Sequence, residues 1–346
     1  MNNQPLLEFL IPAYKRFDGV VKAAVSIASQ IYANSLVGIV FIRIVDDASP
    51  GFSLQHLSEK LVCYKDVISL SFNETNKGMS LNIFDMVESS QSQFCAVLTD
   101  DDWLFPGSLV EIINYLEHLV GRPEVGGVFT PRYSYLEDGS LHCVACQPFK
   151  RDKLLSPGPI NSLRYCHNGF ILTGFIFRTT FFAKDAWKEN IQNGYFPVIN
   201  FWGILRKSSI LFVNRNWFQH TVLNHCHWES WGEDDVAQGR RLYLDYMDAI
   251  AYVARRGCSM HDSMFTRLMA IVYEVNLYVG AIVGHMKSSH LVLPCKDRVF
   301  ERRFAYRVAI FLAPVIFHYF CLRSFLVRAL KTLLRSLGFC AFNANS

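Results

Sequence analysis

The chain has 346 residues and a formal net charge of +4, and 51% of its residues are hydrophobic while 18% are charged. This length suits one large domain with an extension, and the composition indicates a well-filled core. A net charge this small argues against a nucleic-acid-binding protein. The ten cysteines are scattered and several lie inside apolar runs, and no signal peptide is visible at the N-terminus. We therefore expect buried, reduced thiols and a cytoplasmic location.

Short apolar strands alternate with helical patterns through the first third of the chain. The apolar spacing predicts strands at 6–11, 39–45, 67–72 and 94–98, and helices at about 20–31, 54–61, 80–89 and 108–120. Ser108 and Glu111 have the spacing of a capping box at the start of the last helix. Strand–helix alternation of this kind predicts an α/β fold with a mostly parallel sheet covered by helices on both faces.

The remainder of the chain is less regular. We predict further strands at 128–130, 169–177 and 210–213, and the apolar pattern becomes helical from 231 to about 284. We find no internal repeat and no clear linker before this change. The sequence therefore predicts one compact domain at 1–230 and a helical C-terminal region at 231–346.

Polar side chains follow three of the predicted strands. They lie in the segments Pro12–Arg16, Asp46–Asp47 and Asp100–Asp102. Ligands of open α/β sheets gather at the carboxyl ends of strands. Adjacent carboxylates repel one another, and Mg²⁺ binds one or two carboxylates together with substrate phosphates. The segments therefore predict a shared cation and phosphate site; a solvated acidic turn that caps a helix is the alternative for Asp100–Asp102.

Four short motifs resemble a known family. They are Phe9-Leu-Ile-Pro-Ala-Tyr-Lys-Arg16, Ile44-Val-Asp-Asp-Ala-Ser49, Asn76-Lys-Gly78 and Leu98-Thr-Asp-Asp-Asp-Trp103. Their order and spacing resemble family 2 glycosyltransferases, over about residues 5–130 and more thinly to 174–178. Among these, the chain looks most like bacterial O-antigen and surface-polysaccharide enzymes of the abequosyltransferase-like type. The resemblance implies a GT-A (Rossmann-like), mostly parallel sheet flanked by helices, with a C-terminal helical extension.

The resemblance also implies roles for individual positions. Residues assigned to nucleotide-sugar binding are Pro12, Tyr14, Arg16, Asp46, Asp47, Asn76, Gly78 and Asp100. The implied cofactor is Mg²⁺ or Mn²⁺, with Asp101 as principal ligand and Asp102 as a second candidate, because Thr99 replaces the first aspartate of the fuller family motif.

An inverting sugar transfer needs a carboxylate that takes a proton from the acceptor hydroxyl. In the family this base commonly belongs to a Glu-Asp pair some way beyond the paired aspartates. The corresponding segment here, 194–206, has no acid and carries Asn200 near that point. Asp185, upstream, and Asp234, downstream, are equal candidates for the catalytic base.

Three other features favour structural interpretations. Gln238–Leu242 superficially resembles a motif of processive polysaccharide synthases, but the first turn of a helix explains it better. Zinc sites usually combine two short Cys/His ligand segments at a defined spacing. The segments His142–Cys146 and His225–His227 offer such ligands, but the second lacks the C-x-x-C form, so we do not expect zinc. Three tryptophans are better explained as core residues than as residues that stack on an acceptor sugar: Trp217, Trp228 and Trp231.

The C-terminal tail has an apolar run at 308–322 flanked by basic residues. Fifteen residues are fewer than the roughly 20 that a membrane crossing requires. We predict an amphipathic, membrane-associated segment at 304–340, with its basic residues on anionic headgroups; a helical pair packed on the domain is the alternative.

The expected activity is transfer of a sugar from a nucleotide-sugar donor to a saccharide acceptor, with inversion. The resemblance implies an undecaprenyl-linked acceptor and peripheral contact with the cytoplasmic face of the inner membrane. A catalytically degenerate domain that binds a sugar nucleotide or glycan is the main alternative, supported by the missing acid near Asn200. A nucleotidyltransferase would need a Gly-rich basic loop after the first strand, and Pro12–Arg16 is not such a loop.

Overall fold

The structure is a computed structural model that covers residues 4–51, 54–136, 139–145, 147–170, 172–221 and 235–257, and the helical residues 271, 273–275 and 277–279. Contacts divide the chain into two compact units, Met1–Asp262 and Ser263–Ser346. Every strand and helix named below lies in the first unit.

Twelve strands form two sheets in the described part of the first unit. They are β1 (Leu7–Ala13), β2 (Val40–Asp46), β3 (Ile68–Phe72), β4 (Phe94–Val97), β5 (Asp102–Leu104), β6 (Val125–Phe129), β7 (Arg132–Tyr135), β8 (Leu141–Ala145), β9 (Lys153–Leu155), β10 (Phe175–Arg178), β11 (Ser209–Phe212) and β12 (Phe218–Thr221). The main sheet has the order β3-β2-β1-β4-β10-β6-β11-β9 and the second sheet the order β5-β12-β7-β8. Strands β1 to β4 are parallel, β11 is parallel to β6, and β10 and β9 run antiparallel to their neighbours.

Eight α-helices accompany the strands in the described part of the first unit. They are α1 (Phe17–Ala33), α2 (Leu54–Leu61), α3 (Met79–Glu88), α4 (Ser108–Val120), α5 (Pro159–Tyr165), α6 (Lys184–Lys188), α7 (Phe196–Lys207) and α8 (Asp235–Gly257). One apolar core joins the sheet to α1, α2 and α4, and a second joins it to α3 and α7. The mostly parallel α/β sheet with helices on both faces is therefore confirmed.

Helix α1 shows why the sequence pattern was informative. Its fully buried residues recur at helical spacing, from Val20 through Ala24 and Ile27 to Ile31. Such a stripe buries one face of a helix against the sheet and leaves the other in solvent. The same logic places α4 on this core through Leu109, Ile112 and Leu116.

Two local predictions are wrong. Residues 169–177 were expected to be one strand, but Cys166–Phe170 is a 3-10 helix and β10 begins only at Phe175. No side chain of its own caps α4, which starts after Gly107 at φ 83°. The Leu109 amide instead donates to Gln30 Oε1 of α1 (3.1 Å), while Glu111 accepts from Trp217 Nε1 (2.7 Å).

The described residues include only part of the predicted helical C-terminal region. Helix α8 lies within the predicted helical stretch and includes the Gln238–Leu242 motif. The predicted membrane-associated segment at 304–340 lies outside the described residues. Among the residues described, no helix combines the length and apolar character needed to cross a membrane.

Candidate functional site

Three polar segments meet at the carboxyl edge of the main sheet. Because β1, β2 and β4 are adjacent and parallel, the residues that follow them emerge side by side. The structure thus brings together Tyr14–Arg16, Asp46–Asp47 and Asp100–Asp102, as their positions after the strands predict. Pro12 is part of β1, opposite Val45.

Asp46 connects the loops after β1 and β2. Its carboxylate accepts bonds from the amide (2.9 Å) and the hydroxyl (2.6 Å) of Ser49. The Ser49 hydroxyl in turn accepts a bond from the Lys15 amide at 2.7 Å. Lys15 and Ala48 both have positive φ, 62° and 58°, a conformation uncommon for residues other than glycine. The two loops are therefore held in one fixed arrangement, with the half-buried Tyr14 between strand and loop.

Asp47 is almost completely buried and fixes the loop that follows β3. One carboxylate oxygen accepts bonds from Asn73 Nδ2 (2.8 Å) and the Lys77 amide (2.9 Å), and the other accepts from the Gly78 amide (2.8 Å). Gly78 has φ 80° and begins α3, a conformation that glycine adopts without strain. The exposed Asn76 accepts a second bond from the Gly78 amide at 2.9 Å. Asp47 thereby positions Asn76 and Gly78 at this edge.

Asp100 and Asp101 share Arg16. The Arg16 Nη1 atom lies 3.2 Å from Asp100 Oδ1 and 3.5 Å from Asp101 Oδ2. Burial raises the pKa of Asp100 to about 7, against the opposing charge of Arg16. Asp101 is 29% exposed where Asp100 is 9% exposed. Of the two, Asp101 is the carboxylate more open to a ligand.

Asp102 turns into the protein. Its carboxylate accepts from Thr99 Oγ1 at 2.7 Å and lies 2.8 Å from His220 Nδ1 of β12. Burial alone would raise the pKa of Asp102, but His220 and the hydroxyls of Thr173 and Thr99 hold that pKa below its usual value. This buried cluster joins the Asp100–Asp102 segment to the second sheet.

His220 and Thr173 are site residues that sequence reasoning missed. His220 reaches Asp102 through the pairing of β12 with β5, and Thr173 precedes β10, so both partners come from distant parts of the chain. Neither position carries a local motif, and only the sheet topology could have indicated them.

The donors at this edge fit a divalent ion that is completed by substrate. Within the described residues no group of three or more His, Cys, Asp or Glu side chains could enclose a metal. Mg²⁺ does not require such an enclosure, because it commonly binds one or two carboxylates and substrate phosphates. Asp101 offers one open carboxylate, whereas both oxygens of Asp102 already have protein partners.

The part of the chain that holds these residues is similar to a known family. Residues 8–171 match the family model described as Glycosyl transferase family 2. This segment contains all of the polar residues gathered after β1, β2 and β4. Over residues 8–171 the chain is therefore similar to family 2 glycosyltransferases.

Solved structures show the same fold around this domain. The crystal structure of S. aureus TarS 1–349 in complex with UDP-GlcNAc is similar at a TM-score of 0.51 and 12% identity, over 89% of this chain and 91% of that one. The crystal structure of S. aureus TarS 1–349 gives a TM-score of 0.50 and 13% identity, over 89% and 90%. Against the longer TarS structure, this chain spans about half (53%) of that chain, at 14% identity. No curated protein matches the sequence.

Asp185 is not brought to the carboxyl edge. It is an exposed residue of α6, which follows β10, and β10 runs antiparallel to β4. The chain therefore leaves β10 at the opposite edge of the sheet, where Lys184 contacts Glu88 at the end of α3. The other candidate base, Asp234, lies outside the described residues.

The segment around Asn200 is a buried helix rather than an open loop. Asn200 is 2% exposed within α7, and its Oδ1 accepts a bond from the Ala183 amide at 3.2 Å. Trp217 is also buried, as the core interpretation predicts, whereas Trp228 and Trp231 lie outside the described residues.

Proposed function

We propose that the family 2 domain transfers a sugar from a nucleotide-sugar donor to a saccharide acceptor in bacterial surface-polysaccharide or O-antigen biosynthesis. The observation that carries the proposal is the convergence of Arg16, Asp46–Asp47 and Asp100–Asp101 on one edge of the sheet. The similarity to TarS 1–349 in complex with UDP-GlcNAc supports a nucleotide-sugar donor here.

Each group at this edge receives a distinct role in the proposal. The nucleotide would lie against Pro12, Tyr14 and the loops that Asp46 and Asp47 hold in place. Arg16 keeps Asp100 and Asp101 in position through its two ion pairs. Asp101 would bind Mg²⁺ or Mn²⁺, and that ion would neutralise charge on the departing diphosphate.

We propose Asp234 as the base that takes the proton from the acceptor hydroxyl. Asp185 follows β10 to the edge opposite Asp101, which leaves no direct route from its carboxylate to an acceptor bound there. A general base must approach within hydrogen-bonding distance of its proton. The two aspartates therefore form a matched pair of positions for a test.

The decisive experiment measures nucleotide release from a panel of nucleotide sugars by the purified full chain, with and without EDTA. Release with one donor that EDTA abolishes is expected, and Asp101→Ala should reduce it at least about 100-fold without lowering the melting temperature. Asp234→Asn should lower kcat by about 100-fold or more, while Asp185→Asn should match the wild type. No release with any donor, or release unaffected by EDTA, would contradict the proposed reaction.

A lipid-linked, undecaprenyl-type acceptor would place the protein on the cytoplasmic face of the inner membrane. The basic residues around the 308–322 apolar run support this location. A chain that ends before Phe304 should shift from the membrane fraction to the supernatant after cell fractionation. An unchanged distribution would argue against this role for the tail.

Binding without turnover is the second candidate function. The observation that favours it is Asn200, an amide near the point where the family commonly carries its acid, buried in α7. A domain of this kind would bind a nucleotide sugar in equilibrium dialysis and release no nucleotide in the experiment above.

A further inference from the structure

Arg132 occupies an unusual position where the two sheets meet. It is the first residue of β7, directly after the connection from β6. In the second sheet, Ser134 pairs with His220, and His220 pairs with Asp102. Since alternate residues of a strand share a face, Arg132 lies on the same face as Ser134, His220 and Asp102. Two strand spacings and two residues along β7 place its Cα about 12 Å from that of Asp102.

Arg132 has no ionic or hydrogen-bonding partner among the described residues. The side chain is half-buried, and its Nε atom is removed from solvent without an acceptor. Two other partly buried arginines of this domain do have acceptors: Arg43 binds Glu8, and Arg178 donates to the Val125 carbonyl. Arg132 has no comparable acceptor in the part of the chain that the structure describes.

A second unpaired group lies two residues before Arg132 in the sequence. Thr130 is only 5% exposed, and its hydroxyl has no partner in the part of the chain that the structure describes. The Thr130 amide bonds the Gly174 carbonyl at 3.0 Å. Thr173, the residue before Gly174, contacts Thr99 Oγ1 at 3.3 Å. A continuous set of contacts thus links Thr130 to the Asp100–Asp102 segment.

Holding an arginine partly out of water without an anion costs free energy, because its charge loses hydration and gains no partner. Buried hydroxyls without partners carry a similar, smaller cost. A cation and a hydroxyl left unpaired two residues apart along the chain suit an oxyanion, and the guanidinium matches phosphate geometry with two parallel bonds. The missing acceptor is therefore expected to arrive with a substrate.

We propose that Arg132, together with the Thr130 hydroxyl, binds a phosphate group of a substrate at this edge of the domain. The proposal rests on the proposed glycosyl transfer. The phosphate belongs either to the diphosphate of the donor or to a phosphate carried by the acceptor, and the two sources predict different kinetic effects.

The test compares Arg132→Gln and Arg132→Lys with the wild-type full chain, using Arg151→Gln, an exposed arginine, as the matched control. Calorimetry measures the affinity for the nucleoside diphosphate of whichever donor supports turnover, and for the corresponding nucleoside. If the donor supplies the phosphate, Arg132→Gln weakens nucleoside diphosphate binding by about 10- to 100-fold and leaves nucleoside binding unchanged. If the acceptor supplies it, diphosphate affinity is unchanged and the acceptor KM rises by a similar factor.

Arg132→Lys should fall between the wild type and Arg132→Gln in the affected parameter, because it keeps the charge and loses the paired geometry. Thermal melting distinguishes binding from a structural role. Arg132→Met removes an unpaired charge, so its melting temperature should equal or exceed that of the wild type. A lower melting temperature, or Arg132→Gln with wild-type diphosphate affinity and wild-type acceptor KM, would overturn the proposal. Failure of the proposed function is distinguishable, because in that case the wild-type chain itself shows no turnover with any donor.

Discussion

The carboxylates at the carboxyl edge differ in what they are free to do. Asp47 uses both oxygens to hold the 73–78 loop, and Asp102 faces His220 and Thr99. Asp100 is buried against Arg16, which leaves Asp101 as the more open carboxylate. The sequence predicts that these residues gather, because strand ends are readable from apolar runs. It does not predict which carboxylates are paired and which one stays open, because their hydrogen-bonding and ionic partners come from loops and strands distant in sequence.

Asp47→Ala should destabilise the domain. The substitution leaves the Lys77 amide without its carboxylate acceptor and leaves the Gly78 amide with only its bond to Asn76 Oδ1. We expect this to cost about 1–3 kcal/mol of unfolding free energy. Urea unfolding would measure this loss, and hydrogen exchange at residues 77 and 78 would report the loop directly. The exposed Asp185→Ala variant should change stability by less than about 0.5 kcal/mol. Equal unfolding free energies for the two variants would show that Asp47 does not hold the loop.

At the scale of elements, the pattern of buried residues predicted most of the fold. The first four strands and four helices lie within a few residues of their predicted bounds, because each buries one continuous stripe or run. The capping-box prediction is wrong because a residue of another helix supplies the cap. Gln30 lies 79 residues from Leu109 in sequence, yet its side chain accepts that amide's hydrogen bond. No local spacing signals a cap supplied by another helix.

Gln30→Ala should loosen the junction of α1 and α4. The Gln30 amide group donates to the Phe105 carbonyl at 2.9 Å and accepts from the Leu109 amide, and the side chain is buried. Its removal leaves the buried Leu109 amide without this acceptor, while the Phe105 carbonyl keeps the bond that it accepts from the Ser108 amide (3.1 Å). We therefore expect a loss of about 1–3 kcal/mol in unfolding free energy. Urea titration followed by circular dichroism is the measurement. Gln55→Ala, on the exposed surface of α2, is the control. If Gln30→Ala lost no more unfolding free energy than Gln55→Ala, Gln30 would not stabilise the junction of α1 and α4.

At the scale of the whole molecule, the packing of the domain decides which cysteine thiols are buried and which are exposed. The composition predicts buried, reduced cysteines, and the structure confirms this for Cys95 and Cys166, which are buried and unbridged. Cys63 is also free but exposed, in the short 3-10 turn after α2. Its apolar neighbours along the chain do not indicate that exposure, although no residue of this turn is buried.

Alkylation of the native chain should therefore separate these three thiols. Burial raises the pKa of Cys95 to about 11 and that of Cys166 to about 12. At pH 8 their thiolate fractions are then about 10⁻³ and 10⁻⁴, and reagent has no access to either side chain. Iodoacetamide followed by peptide mass spectrometry should find Cys63 modified within minutes, while Cys95 and Cys166 react only after unfolding in guanidinium chloride. Modification of Cys95 in the native chain at the rate of Cys63 would mean that strand β4 is open to solvent, which a central strand between β1 and β10 cannot be.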